Sequence, residues 1–478
     1  MSPLSLQTDL YQTYPEMTMS YAEKYFAHVD TPALSVLPKG PFLEWIMLDR
    51  SKRPRDNTVL YTVLAVGSVF ANGSAAAAHL SEFSQIGSSG IDALGGSLLH
   101  LMLTTLLFAN LRHLQGDYDG AAELYISVYK MGQRELSSRP ADQGTATPPW
   151  AFGLDRGSMM ECAKRATWLA DVMLCLGSCR CPYAQRQSMW EIQHAHQNSV
   201  HDSLSLDGST VSRPDLILIA TALREVAVMA GTPRALWQHE TNVNFETIRS
   251  RLDTWDVAFQ GNRARGQVSA RRSSADQQVD ILYFFAKALL HRRACPPWSG
   301  PEAQAHYAHE AFVNASKILR VAQQLSNSRT EDASAFTMLC PFIGLAIFEA
   351  FDIITARGTM YHLHGEESRV MSMMSAGLET LEALSQSWHG GREQLDSAKK
   401  RMEIMLRMTL PNQNGNGGFY FSKSMQASGE WEQDVMYSCP LLDYFDEMDW
   451  SSLIQLDGNF CCLDGEDQQM NLSLSWRI

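Results

Sequence analysis

Apolar residues recur along this chain at three- and four-residue intervals, in blocks separated by turn-rich stretches, which is the periodicity of helices that bury one face. Leu60-Tyr-Thr-Val-Leu-Ala-Val-Gly-Ser-Val-Phe-Ala71 is apolar on most sides and predicts a buried helix. Ser97 is placed to cap the next helix, which runs through Leu98-Leu-His-Leu-Met-Leu-Thr-Thr-Leu-Leu-Phe108 to about His113. That segment is apolar nearly all round, so it should be central. Gln115-Gly-Asp-Tyr118 interrupts the pattern, and a helical spacing restarts over 120–131. The same spacing predicts helices at 159–177, 215–229, 243–258, 279–293, 303–326, 336–356, 369–387 and 392–408. Strand-like alternation flanked by hairpin turns is almost absent, so the predicted class is all-α.

Composition marks the boundaries. Residues 137–158 and 411–418 are rich in Pro, Gly, Asn and Ser and read as loops. The predicted organisation is a short mobile start over 1–19, an all-α body over 20–410, and a linker with a tail over 411–478. The stretch 260–275 carries Arg263, Arg265, Arg271 and Arg272 without an acid, and reads as a solvated loop or a contact for an acidic partner. Gly116-Asp-Tyr-Asp-Gly-Ala-Ala-Glu-Leu-Tyr125 is similar to one turn of a tetratricopeptide helix pair, but no second copy follows at a fixed period.

Charge is distributed unevenly. The formal net charge is −13, with 52 acidic and 39 basic residues. Residues 426–476 hold eleven of the acids and no basic residue, which leaves 41 acidic against 38 basic residues in 1–425 (39 less Arg477). The body is therefore nearly neutral and lacks the basic surplus that drives phosphate binding. The acidic stretch is threaded with Leu441, Leu442, Tyr444, Phe445, Met448 and Trp450. Such interleaving suits a disordered activation segment, whose charges keep the aromatic groups in water until a partner groove accepts them. The alternative is a last amphipathic helix packed on the body.

Nine cysteines at irregular positions do not form a disulfide pattern, and no apolar run is long enough to span a bilayer. An intracellular protein with no membrane contact is expected. Cys175, Cys179 and Cys181, followed by His194, His196 and His201, have the ligand types zinc prefers but not a recognised spacing, so no metal and no cofactor is assigned. Gly-x-Ser-x-Gly, phosphate-loop and dinucleotide motifs are missing, and His309-Glu310 lacks the second histidine of a zinc-protease helix. No catalytic residue is assigned, and the chain is expected not to be an enzyme. A co-opted all-α biosynthetic enzyme is the weaker alternative.

Several stretches, taken in order over roughly residues 20–410, resemble the regulatory domain of fungal-specific transcription factors. The first is Tyr25-Phe-Ala-His-Val-Asp30 with Leu37-Pro-Lys-Gly-Pro-Phe-Leu43, followed by Leu60 to Ser68. The most characteristic runs from Glu161-Cys-Ala-Lys-Arg-Ala-Thr-Trp168 through Asp171 to Ser178-Cys-Arg-Cys-Pro182. Here Lys164-Arg165 stand for the family's basic pair, Trp168 for one of two tryptophans, and Arg180 and Pro182 for part of a Gly-Arg-Pro turn. Tyr283 to Arg292 and Ala308 to Leu325 are similar to two later helices of the family.

The resemblance implies that Glu161, Arg165, Trp168, Asp171, Arg180 and Pro182 are scaffold, with the Glu/Arg pair bracing a helix junction. It also implies a nuclear regulator of a metabolic or secondary-metabolite gene set. The partner would be a coactivator or another transcription factor, bound through the tail, with homo- or heterodimerisation a further expectation. The family's six-cysteine DNA-binding cluster has no counterpart, since the first cysteine is Cys162. DNA contact is thus expected only through another chain, and an interaction scaffold that modulates a DNA-binding partner is the alternative function.

Overall fold

The computed structural model describes residues 5–31, 34–48, 52–71, 74–91, 97–137, 152, 154, 156–177, 212–230, 245–254, 274–293, 301–329, 337–355, 367–385, 388 and 390–409. Fifteen α-helices and no strand occur among the described residues, as the hydrophobic periodicity predicts. In chain order they are α1 (Leu10–Thr13), α2 (Pro15–His28), α3 (Lys39–Met47), α4 (Pro54–Val69) and α5 (Ser74–Ser89). Then come α6 (Leu98–Gln115), α7 (Tyr118–Ser137), α8 (Arg156–Gly177), α9 (Ser212–Ala230) and α10 (245–254). The last five are α11 (Ser274–Arg293), α12 (Pro301–Arg329), α13 (Cys340–Thr355), α14 (Glu367–Ser385) and α15 (Gly390–Thr409).

Local chemistry sets the ends. Pro15 and Pro54 begin α2 and α4, where the missing N–H costs nothing, and Glu16 and Asp56 lie in their first turns at the positive end of the helix dipole. Gly116 ends α6 in the left-handed region (φ 88°), and the Asp117 N–H bonds back to the Arg112 carbonyl at 2.9 Å. The interruption seen at Gln115-Gly-Asp-Tyr118 is thus a tight turn between two packed helices.

Burial follows the apolar pattern. Every residue of α4 from Asp56 to Ser68 is buried, and α6 is buried over most of its length. The most enclosed element is α13, buried from Cys340 through Ile354 and packed against α11, α12, α14 and α15. The main helix contacts join elements one or two apart in order, as in α2 with α4, α4 with α6, α6 with α8, and α13 with α15. Small residues permit two close approaches. A Cβ at Gly67 of α4 would sit 2.1 Å from the Tyr21 carbonyl oxygen of α2, and one at Gly132 of α7 would sit 1.8 Å from Thr167 Oγ1 of α8.

This succession is closed by ties between distant segments. The Met338 N–H donates to the His28 carbonyl at 2.8 Å, the His113 and Phe342 rings lie 4.9 Å apart, and Trp388 Nε1 donates to the Tyr118 hydroxyl at 2.9 Å. Trp388 is among the largest fully buried side chains.

The expected mobile start is corrected for residues 5–19, which are packed on α4. The Tyr61 hydroxyl and Asn57 Nδ2 donate to the carbonyls of Ser5 and Leu6, and Lys52 Nζ lies 2.8 Å from Asp9 Oδ2. Leu10 is buried. Leu6, Tyr11, Tyr14, Met17 and Met19 also pack against the core, and their irregular spacing hid this in the sequence. The linker and acidic tail, 411–478, lie outside the described residues.

Candidate functional site

Helix α8 carries four of the residues that the sequence singles out. Glu161, Arg165 and Trp168 follow one another at four- and three-residue steps and share one stripe of the helix. Arg165 Nε donates to Glu161 Oε1 at 3.2 Å, and Lys164 Nζ lies 4.0 Å from Glu161 Oε2. These charges are about a quarter to a third exposed, whereas Trp168 and Asp171 are buried. Arg180, Pro182, Cys179, Cys181 and the three histidines that follow lie outside the described residues.

The outer half of α8 faces the turn after α2. Asp30, fully enclosed there, accepts hydrogen bonds from the N–H groups of Val36 (2.5 Å) and Leu37 (2.9 Å), so one carboxylate shapes the turn from α2 toward α3. Burial pushes the Asp30 carboxyl up to about 7, opposed by the two backbone N–H groups, Ser35 and the Arg165 guanidinium. Tyr25, hydrogen-bonded to Asp30, is held well above the usual phenol range by burial and by that carboxyl. Burial pushes the Cys162 thiol up to about 12, with Arg165 opposing. Cys162 therefore stays a protonated core thiol with no nucleophilic character at neutral pH. The Tyr25–Asp30 and Glu161–Trp168 stretches, more than a hundred residues apart, meet at this point.

The inner half of α8 faces its neighbours in the bundle. Tyr129 of α7 has its phenol raised by burial and by Asp171, while Arg224 of α9 opposes. Asp171 and Arg224 are both buried. The polar side chains of α8 therefore act on the turn after α2 and on Tyr129 of α7, and the helix also packs against α9. Among the described residues no group of three or more His, Cys, Asp or Glu is arranged to hold a metal. Cys175 is buried and in no disulfide.

Sequence reading missed a second polar centre. Arg292 of α11 donates through Nη1 to Glu349 Oε1 of α13 at 2.8 Å and through Nη2 to Asp352. Arg401 Nη2 of α15 lies 2.7 Å from Asp352 Oδ1. Two guanidinium and two carboxylate groups thus meet in a largely buried cluster joining three helices. A signal was present: Glu349 and Asp352 are the only acids in the apolar run Cys-Pro-Phe-Ile-Gly-Leu-Ala-Ile-Phe-Glu-Ala-Phe-Asp-Ile-Ile-Thr355, and buried carboxylates require partners.

Beside it, burial and the cations of Lys287 and Arg249 lower His291 to about 4, so this imidazole is neutral. Its ring stacks on Tyr307 at 5.9 Å.

Compared with family models, with curated proteins and with solved structures, the chain matches none.

Proposed function

We propose that this chain is a nuclear transcriptional regulator of the fungal-specific type, in which the all-α body is a regulatory domain and residues 440–450 recruit a coactivator. The supporting observation is the meeting of the two stretches that carry the resemblance, around Asp30 and Arg165. Their polar groups satisfy one another, with Asp30 taken up by backbone N–H groups and Arg165 by Glu161. This chemistry suits a brace that holds helices in register and leaves no group poised for bond-making. The acidic, aromatic-rich stretch from Pro440 to Trp450 supplies the effector side of the reading.

In this reading the body receives a partner or small ligand and controls exposure of 440–450, acting on a metabolic or secondary-metabolite gene set. A reporter assay tests it: residues 411–478 fused to a heterologous DNA-binding domain should activate transcription. Replacing both Phe445 and Trp450 by Ala should remove most of that activation. An inactive fusion would sink the activation role. The near-neutral body favours a second reading, in which the chain dimerises with a DNA-binding factor and modulates it. Co-purification of the full chain with such a factor, combined with a silent tail fusion, would select it.

A further inference from the structure

The first turns of α4 and α6 meet at three side chains that the regulatory reading does not use. Asp56 lies in the first turn of α4 and His100 in the first turn of α6, both buried, while Ser97 at the N-cap of α6 is only part-buried. His100 Nε2 is 2.7 Å from Asp56 Oδ1, and Ser97 Oγ is 2.5 Å from His100 Nδ1. In its neutral form the ring has one hydrogen to give. A carboxylate can only accept, so that hydrogen lies on Nε2, and the Nδ1 lone pair then takes the hydrogen of the Ser97 hydroxyl. Arg53 Nε, 2.8 Å from Asp56 Oδ2, holds the carboxylate in place.

Two further features distinguish this trio from an ordinary helix cap. An N-cap serine normally accepts from the second or third N–H of its helix, but Ser97 makes no such side-chain bond. The first helical bond runs from the Leu101 N–H to the Ser97 carbonyl at 3.1 Å, so the N–H groups of Leu98 and Leu99, in the first turn beside the hydroxyl, have no carbonyl partner within the helix. Phe152 lies 6.0 Å from the His100 ring and 5.0 Å from both Phe42 and Trp45, which makes one side of the site apolar. Phe152 is also the one non-glycine residue of positive φ (59°) among the described residues.

We propose that Ser97 is an activated nucleophile toward carboxylic esters of apolar acyl groups, with His100 as general base and Asp56 as the positioning residue. Ser97 Oγ adds to the ester carbonyl carbon as its proton passes to His100 Nδ1. The carbonyl oxygen becomes an oxyanion, for which the first-turn N–H groups of α6 are the donors. The ester C–O bond then breaks, and the leaving alkoxide takes the proton from His100 to depart as alcohol. Water, deprotonated by the same imidazole, hydrolyses the acyl-serine to the carboxylic acid and restores Ser97. This activity would be separate from the transcriptional role.

The full chain should be treated with a fluorophosphonate probe, the adduct mapped by mass spectrometry, and hydrolysis of p-nitrophenyl butyrate followed in parallel. The expected adduct is on Ser97. Ser97→Ala should abolish both the adduct and the hydrolysis, and His100→Gln should slow labelling by about a hundredfold or more. Asp56→Asn should slow labelling and move the acid limb of its pH profile to lower pH, a shift that a structural role alone would not produce. Should His100→Gln fail to fold, Asp56→Asn, nearly the same shape, decides the matter. A wild-type protein of intact helical circular dichroism with no adduct on Ser97 overturns the proposal. Labelling of Ser97 at an unchanged rate in the folded variants overturns it equally and leaves the trio as a brace between α4 and α6.

Discussion

Asp30 and Asp352 are both buried carboxylates, yet the protein accommodates them in opposite ways. Asp30 shapes a turn and is met mainly by backbone N–H groups, with the Arg165 guanidinium as a more distant influence. Asp352 lies inside the most enclosed helix and is met by two guanidinium groups from two other helices. Backbone dipoles lower the cost of a buried charge only in part, so Asp30 remains able to take up a proton near neutrality. Arginine partners supply full opposite charge, but each depends on the others remaining. The first arrangement is local and sensitive to pH. The second is tertiary and sensitive to the loss of one partner.

The largest effect should come from breaking the ion cluster. Arg292→Met removes the Nη1 donor from Glu349 and the Nη2 donor from Asp352, and should cost about 3–5 kcal/mol, read as a lowered urea midpoint at an unchanged slope. A loss under about 1 kcal/mol would mean that water reaches this cluster and the contrast with Asp30 fails.

Asp30 gives the next effect, and it should depend on pH. The group titrates near 4 when unfolded and near 7 when folded, so between these values the folded state binds the extra proton. Its contribution is therefore fully present below about pH 4 and is lost as pH rises through about 7. Relative to Asp30→Asn, the wild-type protein should lose stability across that window by up to about 1.4 kcal/mol per pH unit. Parallel denaturation series at pH 4.5, 6 and 7.5 check this. A constant difference between the two proteins would place Asp30 in the ionised state throughout.

The smallest effect should be at Glu161. Its ion pairs with Lys164 and Arg165 are partly open to solvent, so Glu161→Ala should change stability by less than about 1 kcal/mol, and by less still in high salt. A larger loss would show that the pair holds Arg165 against Asp30, and would tie the brace on α8 to the turn after α2.

Periodicity carried most of the helix prediction. The apolar stretch at 98–113 and most of that at 60–71 lie in buried helices, and the eight later spacings each overlap a helix of the structure. Boundaries were less legible: α4 starts at Pro54, where the sequence turns charged, because Arg53 and Asp56 pair with each other while the face behind them is buried. Helices α2, α3 and α5 have patterns too mixed or too rich in Ala and Ser to stand out. Glu161, Arg165, Trp168 and Asp171 were visible as a set, but their neighbours were not, since Asp30, Tyr129 and Arg224 come from separate helices or turns.

The sequence by itself determined what depends on spacing and composition: the all-α class, the main buried helices, and the confinement of net charge to the last fifty or so residues. These follow from local rules, because a helix turn of 3.6 residues sets which side chains share a face whatever lies opposite. Only the tertiary structure decided which polar residues meet. The pairing of Arg292 with Glu349 and Asp352, the enclosure of Asp30 beside Arg165, and the alignment of Asp56, His100 and Ser97 each join groups from different helices or turns. Such contacts depend on distances of a few ångströms between elements far apart in sequence, and no periodicity along one helix encodes them.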